Sequence, residues 1–232
     1  MPDNSANPLL TDNFCGSLED LGCFRAALTG GGRSVWEAYL RGRGEECAAD
    51  LRGAGLCGCD LSAWYMEGVD FSGSDLSGAL FRGAKMARAK ISGANLKDAQ
   101  FITADLEAAE ISKSDLTGAD FTRAHLRVTR ITGVTAVGAI FRGSRMYRVQ
   151  ISGCDMKKAD FSGADGRYGT CTDCDLTGAD LHSSNFARAA FTNVLMDNAN
   201  LSLAYFCDTT LQSVSIDGAD MKGCLYPGRG KT

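Results

Sequence analysis

Ala94-Asn95-Leu96-Lys97-Asp98, and eighty-five residues later Ala179-Asp180-Leu181-His182-Ser183, are two copies of one five-residue unit. In each, a small residue comes first, Asp or Asn second, a large apolar residue third, and two polar residues follow. Counted outward from these copies, the unit keeps its register from Ala49 to Gly223 with no insertion or slip. The positions whose numbers end in 1 or 6, from Leu51 to Met221, number 35; Leu fills 12, Phe 9, Met 6 and Ile 5. Only Ala136, Gly166 and Cys171 depart from the large apolar pattern. Two places before each of these centres stand 19 Ala, 5 Val, 4 Ser, 3 Cys, 2 Thr, 1 Gly and a single large residue, Trp64.

A period of five suits neither the 3.6 of an α-helix nor the 2 of a plain strand. It suits a square coil with one unit per side and a turn at each corner. Four sides are indicated by residue identity at a separation of twenty: centres 81, 101, 121, 141 and 161 are all Phe, and 91, 111, 131 and 151 are all Ile. Stacked coils place such residues in ladders, about 4.8 Å apart. About nine coils then make a rod of roughly 40 Å at that spacing. The small residue and the centre fill a narrow interior, so function must lie on the outward positions.

The pattern resembles the pentapeptide-repeat family, whose motif is small, Asp/Asn, Leu/Phe and two polar residues. The resemblance covers 175 of the 232 residues. It implies an all-β fold, a right-handed quadrilateral parallel β-helix. Before it, residues 1–48 read as a small α-helical N-terminal cap. Ser17 to Leu28 is one predicted helix, stopped by Gly30-Gly31-Gly32; Ser34-Val35-Trp36-Glu37 reads as the capping box of a second, ended by Gly42. A glycine-rich turn, a Trp-bearing helix and then Asp50-Leu51 also resemble the opening of many bacterial pentapeptide-repeat proteins. Trp64, too large for the interior, is expected beside this cap. Residues 224–232 form a short C-terminal cap and tail. Family members that protect DNA gyrase commonly dimerise through a C-terminal helix, for which this stretch leaves no room. A monomer or an end-to-end dimer is expected.

Composition narrows the function classes. The net charge is −4, from 24 basic and 28 acidic residues, which argues against direct nucleic-acid binding. No run approaches the ~20 apolar residues that span a membrane, and Met1-Pro2-Asp3-Asn4 lacks a basic leader region, so a cytoplasmic protein is expected. In that setting the ten cysteines are expected as free thiols. Cys171 and Cys174 have metal-like spacing, but both fall on inward positions. Cys57 points out and Cys59 in. Cys154 and Cys174 stack at a separation of twenty. The two histidines, His125 and His182, lie on different sides of the rod, and no Ser or Cys pairs with them as nucleophile and base. The carboxylates preceding the centres read as acceptors for nearby turn amides. No enzyme, no metal and no cofactor is expected.

The sides differ in charge. That of centres 56, 76 and on to 216 carries seven acids against three bases, a net of −4; that of centres 66, 86 and on to 206 carries seven bases against five acids, a net of +2. On the basic side Arg127, Tyr147 and Arg167 share one column, Arg148, Tyr168 and Arg188 another, and Arg145 adjoins them. Like charges on adjacent strands destabilise, whereas Arg and Tyr are the residues enriched at binding hot spots. Gly166 leaves a centre empty beneath Tyr168. These seven residues are the candidate contact surface of a non-enzymatic scaffold for an acidic protein partner. The alternative is a DNA mimic acting on a type II topoisomerase through the acidic side.

Overall fold

A computed structural model describes residues 15–42 and 48–226. The repeat winds into a parallel β-solenoid. Seven strands form one parallel sheet in chain order: β1 (Lys90–Ser92), β2 (Glu110–Ser112), β3 (Arg130–Thr132), β4 (Gln150–Ser152), β5 (Thr170–Asp175), β6 (Ala190–Leu195) and β7 (Thr210–Ser215). The register is a shift of twenty throughout, as in Ile91↔Ile111 and Ile131↔Ile151. Single bridges with the same shift run along the other sides, from Asp50↔Asp70 to Tyr205↔Leu225. Each coil is held to the next through its backbone, as when the Leu96 N–H donates to Asp115 O at 2.7 Å and the Asp115 N–H to Ala94 O at 3.0 Å.

The side-chain ladders occupy the interior as the sequence indicates. Phe81, Phe101, Phe121, Phe141 and Phe161 stack with ring centroids 4.7 to 5.0 Å apart and planes within 6°. Centres and small residues are almost all buried from Leu51 to Phe206. Buried Ser74 and Thr129 stay satisfied by donating to Leu51 O and Leu106 O of the preceding coil. Gly166 is the exception in shape. Phe186, from the following coil, leans into the vacancy so closely that a Cβ on Gly166 would stand 2.1 Å from its ring. A narrow apolar void of about 20 Å³ remains, walled in part by Cys171 and Phe191.

At the N-terminal end, α1 (Leu18–Ala26) begins at Ser17, whose hydroxyl accepts the Asp20 N–H. Two local expectations are corrected. The glycines do not stop this helix: Ala27–Gly31 continue it as a π turn, and the direction changes at Gly32 with φ +66°. The second helix, α2 (Gly32–Gly42), therefore starts two residues before Ser34, so Ser34 is not a cap. Glu37 faces Arg33 and Arg41 across one turn instead. The expectation for Trp64 holds. Phe24 lies 4.9 Å from Trp36 and 5.2 Å from Trp64, which closes the bottom of the core with aromatic rings.

Polar groups seal the same end. Buried Asp20 accepts the Tyr39 hydroxyl and the Asp50 N–H, the Trp36 indole donates to Tyr65 O, and the N–H groups of Cys15, Gly16 and Ser17 reach carbonyls of Asp50 and Arg52. The first coil thus has partners for groups that an open solenoid end would leave bare.

Candidate functional site

Each side of the coil ends in a left-handed residue two places after the centre, and every one of these corners, from Gly53 to Gly223, has positive φ. Glycine suits that conformation, whereas other L-residues are held there at a cost of roughly 1 kcal/mol each. On the acidic side six of nine corners are Gly, the others being Asp98, Lys158 and Asn198. On the Arg/Tyr side only Gly68 is; the remaining corners are Arg88, Ala108, Val128, Arg148, Tyr168, Arg188 and Asp208. Arg148, Tyr168 and Arg188 of the candidate surface thus stand at strained corners, which aim them outward.

Within that surface the structure brings some residues together and separates others. The Tyr147 and Tyr168 rings are 5.3 Å apart. The Arg148 guanidinium lies 5.3 Å from the Tyr147 ring centre and that of Arg188 lies 5.6 Å from the Tyr168 centre. Arg188 also donates to the Tyr168 hydroxyl at 2.6 Å and approaches Asp208 at 3.5 Å. Those contacts, the tyrosine hydroxyl foremost, hold its pKa above the usual arginine range. Arg167 grips Asp165 with two hydrogen bonds of 2.8 and 2.7 Å, which lowers the carboxyl pKa of Asp165. Arg127 reaches toward the N-terminal end to Glu107 at 3.1 Å. Arg145 and Arg148, on one coil and flanking Tyr147, form no ion pair among the described residues, although the Arg145 backbone bridges Asp165.

Sequence reasoning did not single out Glu107 and Asp208, which neutralise two of the arginines, nor Tyr65 and Tyr205, which extend the exposed tyrosines along this side. Their signal was present at a separation of twenty, where Glu107 lines up with Arg127 and Asp208 with Arg188.

The acidic side engages its carboxylates internally. Asp75, Asp115 and Asp175 each accept the N–H two residues on, Lys97 pairs with Asp115, and Lys157 bridges Asp155 and Asp175. For Asp115 and Asp175 burial acts upward, yet the hydrogen bonds from Thr117 and Thr177 and the lysines bring the pKa below the usual value. These Asx turns are the role that the sequence assigns to the carboxylates preceding the centres.

Cys154, Cys171 and Cys174 are buried free thiols, and hydrogen bonding to Cys174, together with burial, pushes the Cys154 thiol far up. A raised pKa keeps the Cys154 thiol unreactive. His182 shares a hydrogen bond with Ser202 while His125 is exposed on another side. Among the described residues no group of three His, Cys, Asp or Glu is placed to hold a metal ion, and no helix is long and apolar enough to cross a membrane.

A family profile described as pentapeptide repeats matches in eight copies, over residues 65–101, 84–123, 104–143, 144–182 and 184–223. Curated proteins yield no match. Among solved structures, HetL, a pentapeptide repeat protein involved in heterocyst differentiation regulation in the cyanobacterium Nostoc, is 22% identical over 81% of this chain and 92% of its own, with a TM-score of 0.32. A trypsin-treated variant of QnrB1, a plasmid-mediated fluoroquinolone resistance protein, is 20% identical over 75% of this chain and 91% of its own, with a TM-score of 0.46. A pentapeptide repeat protein from the Arabidopsis thaliana thylakoid lumen is 31% identical over 49% of this chain and 68% of its own, with a TM-score of 0.20.

Proposed function

The chain belongs to the pentapeptide-repeat family, and from that premise we propose that it is a non-enzymatic scaffold that binds an acidic protein partner through its Arg/Tyr side. One observation carries this reading. Glycine, the residue the corners favour, is absent from seven of the eight on this side, and the strained positions present Arg148, Tyr168 and Arg188 beside Arg145. Strain at these corners opposes folding, so stability does not account for the arrangement. Binding does. Arg145 and Arg148, in no ion pair among the described residues, offer forked donors, and the paired tyrosines offer rigid contact area. The free buried thiols suit a reducing compartment such as the cytoplasm.

The second reading, a DNA mimic acting on a type II topoisomerase, draws support from the acid excess of the opposite side. Against it, Asp75, Asp115 and Asp175 are already engaged by turn amides or lysines, which leaves less unneutralised charge to imitate a phosphate backbone. A photo-crosslinking residue placed at Tyr168 and, in a second variant, at Thr117 separates the two. In lysate of the source cells, a specific adduct is expected from position 168 and not from 117. An adduct from 117 alone would overturn the proposal.

A further inference from the structure

The two ends of the rod are unlike. From Leu51 to Phe206 the large apolar centres are buried, but in the last coil Leu211 and Ile216 are exposed, Met221 is half-exposed, and Leu225 is 49% exposed. Leu195, Leu203 and Tyr205 continue the apolar surface onto the flanks just below. β7 is the outermost strand of its sheet, and the N–H groups of Ile216, Gly218, Met221 and Gly223 have no acceptor among the described residues, although their equivalents one coil earlier all donate onward. Among the described residues, Asp217 and Asp220 stand around this floor, with Asp197 below them, against one cation, Lys222.

We propose that this end is a docking surface for an extended, basic segment of a protein partner, which pairs with the bare backbone edge of the last coil that follows β7, from Ile216 to Gly223. Three features specify the occupant. The bare N–H groups call for backbone carbonyls at strand spacing. The apolar floor calls for alternate apolar side chains facing inward. The carboxylate rim calls for Lys or Arg at the intervening, outward positions. A second copy of this chain meets the first two requirements and fails the third, because a face-to-face pair would bring two rims of like charge together. The proposal is independent of the Arg/Tyr side, which lies on the flank and would recognise the opposite charge.

The test uses the full chain and four synthetic probes: a decapeptide alternating Val and Lys, one alternating Val and Glu, a Val/Lys peptide N-methylated at every second residue, and a scrambled Val/Lys peptide. The alternating Val/Lys peptide is expected to bind at least tenfold more tightly than each of the other three. Replacing Asp217→Lys and Asp220→Lys together is expected to abolish that preference while lowering the melting temperature only slightly, since both carboxylates are exposed and only Asp220 accepts a turn amide, that of Lys222; Asp155→Lys with Asp175→Lys on the flank is expected to preserve it. Equal affinity for the Lys and Glu peptides, or tolerance of N-methylation, would overturn the proposal. So would a stable dimer of the chain alone, in sedimentation equilibrium, that Ile216→Arg dissociates.

Discussion

The Arg/Tyr side and the acidic side are built from the same unit on the same interior, yet they treat charge in opposite ways. The acidic side keeps Gly at most corners and engages its carboxylates with its own turn amides and lysines, so its charges serve the fold. The Arg/Tyr side gives up Gly at all corners but one and, among the described residues, leaves Arg145 and Arg148 without an ion pair. In a solenoid the interior dictates little about the outward residues, so a side that departs from the least strained choice coil after coil is the one where another requirement acts. The contrast can be broken or sharpened by substitution.

The largest effect is expected where the two sides are the same, in the interior. Leu116→Asp, beneath the acidic side, places an unpaired carboxylate in a closed apolar column and is expected to cost several kcal/mol, enough to unfold or fray the rod. Thr117→Asp, next to it but facing water, is expected to stay within about 0.5 kcal/mol of the parent. Circular dichroism melting of both variants checks this, and equal melting temperatures would refute the register.

The corners should respond with opposite signs. Val128→Gly on the Arg/Tyr side relieves a β-branched residue at φ +52° and is expected to stabilise by up to about 1 kcal/mol. Gly138→Val on the acidic side meets no atom within 4 Å, so only backbone strain is introduced; a loss of about 1 kcal/mol is expected. Urea unfolding measures both, and a destabilised Val128→Gly variant would remove the strain argument.

Acid titration gives the smallest difference. Asp115 and Asp175 on the acidic side and Asp165 on the Arg/Tyr side have folded pKa values below their unfolded ones. Their contribution is therefore complete above the unfolded value of about 3.9 and is lost as pH falls through the lower folded values. Replacing Arg167→Gln, which releases Asp165, is expected to lessen the drop in melting temperature between pH 5 and pH 2. An unchanged drop would mean that the Arg167–Asp165 pair contributes nothing.

Much of this architecture was legible because one position in five must be large and apolar to fill the interior. That rule sets the register, the Phe81 to Phe161 stack and the placement of Trp64 beside the cap. The cap itself was less legible. Gly30 to Gly32 read as a stop, but two glycines were absorbed in a π turn and only Gly32 adopts the left-handed conformation that ends the run, which moves the start of α2 ahead of Ser34. In the candidate site, columns at a separation of twenty identified which residues are neighbours. They did not identify partners, because a long arginine side chain selects among carboxylates in its own coil and in both adjacent ones. Arg167 takes Asp165 in its own coil, Arg127 reaches back to Glu107 and Arg188 forward to Asp208. Arg145 and Arg148 stand out only once those pairings are known.

The most direct measurement of the account is partner capture from source lysate by the wild-type chain and two charge-reversed variants, quantified by mass spectrometry. Arg145→Glu with Arg148→Glu is expected to fold with an unchanged or slightly higher melting temperature and to reduce recovery of the wild-type partner by at least tenfold, whereas Asp155→Lys with Asp175→Lys retains it. Loss of the partner in the acidic-side variant, with full retention in the arginine variant, would contradict the account and assign recognition to the opposite side of the rod.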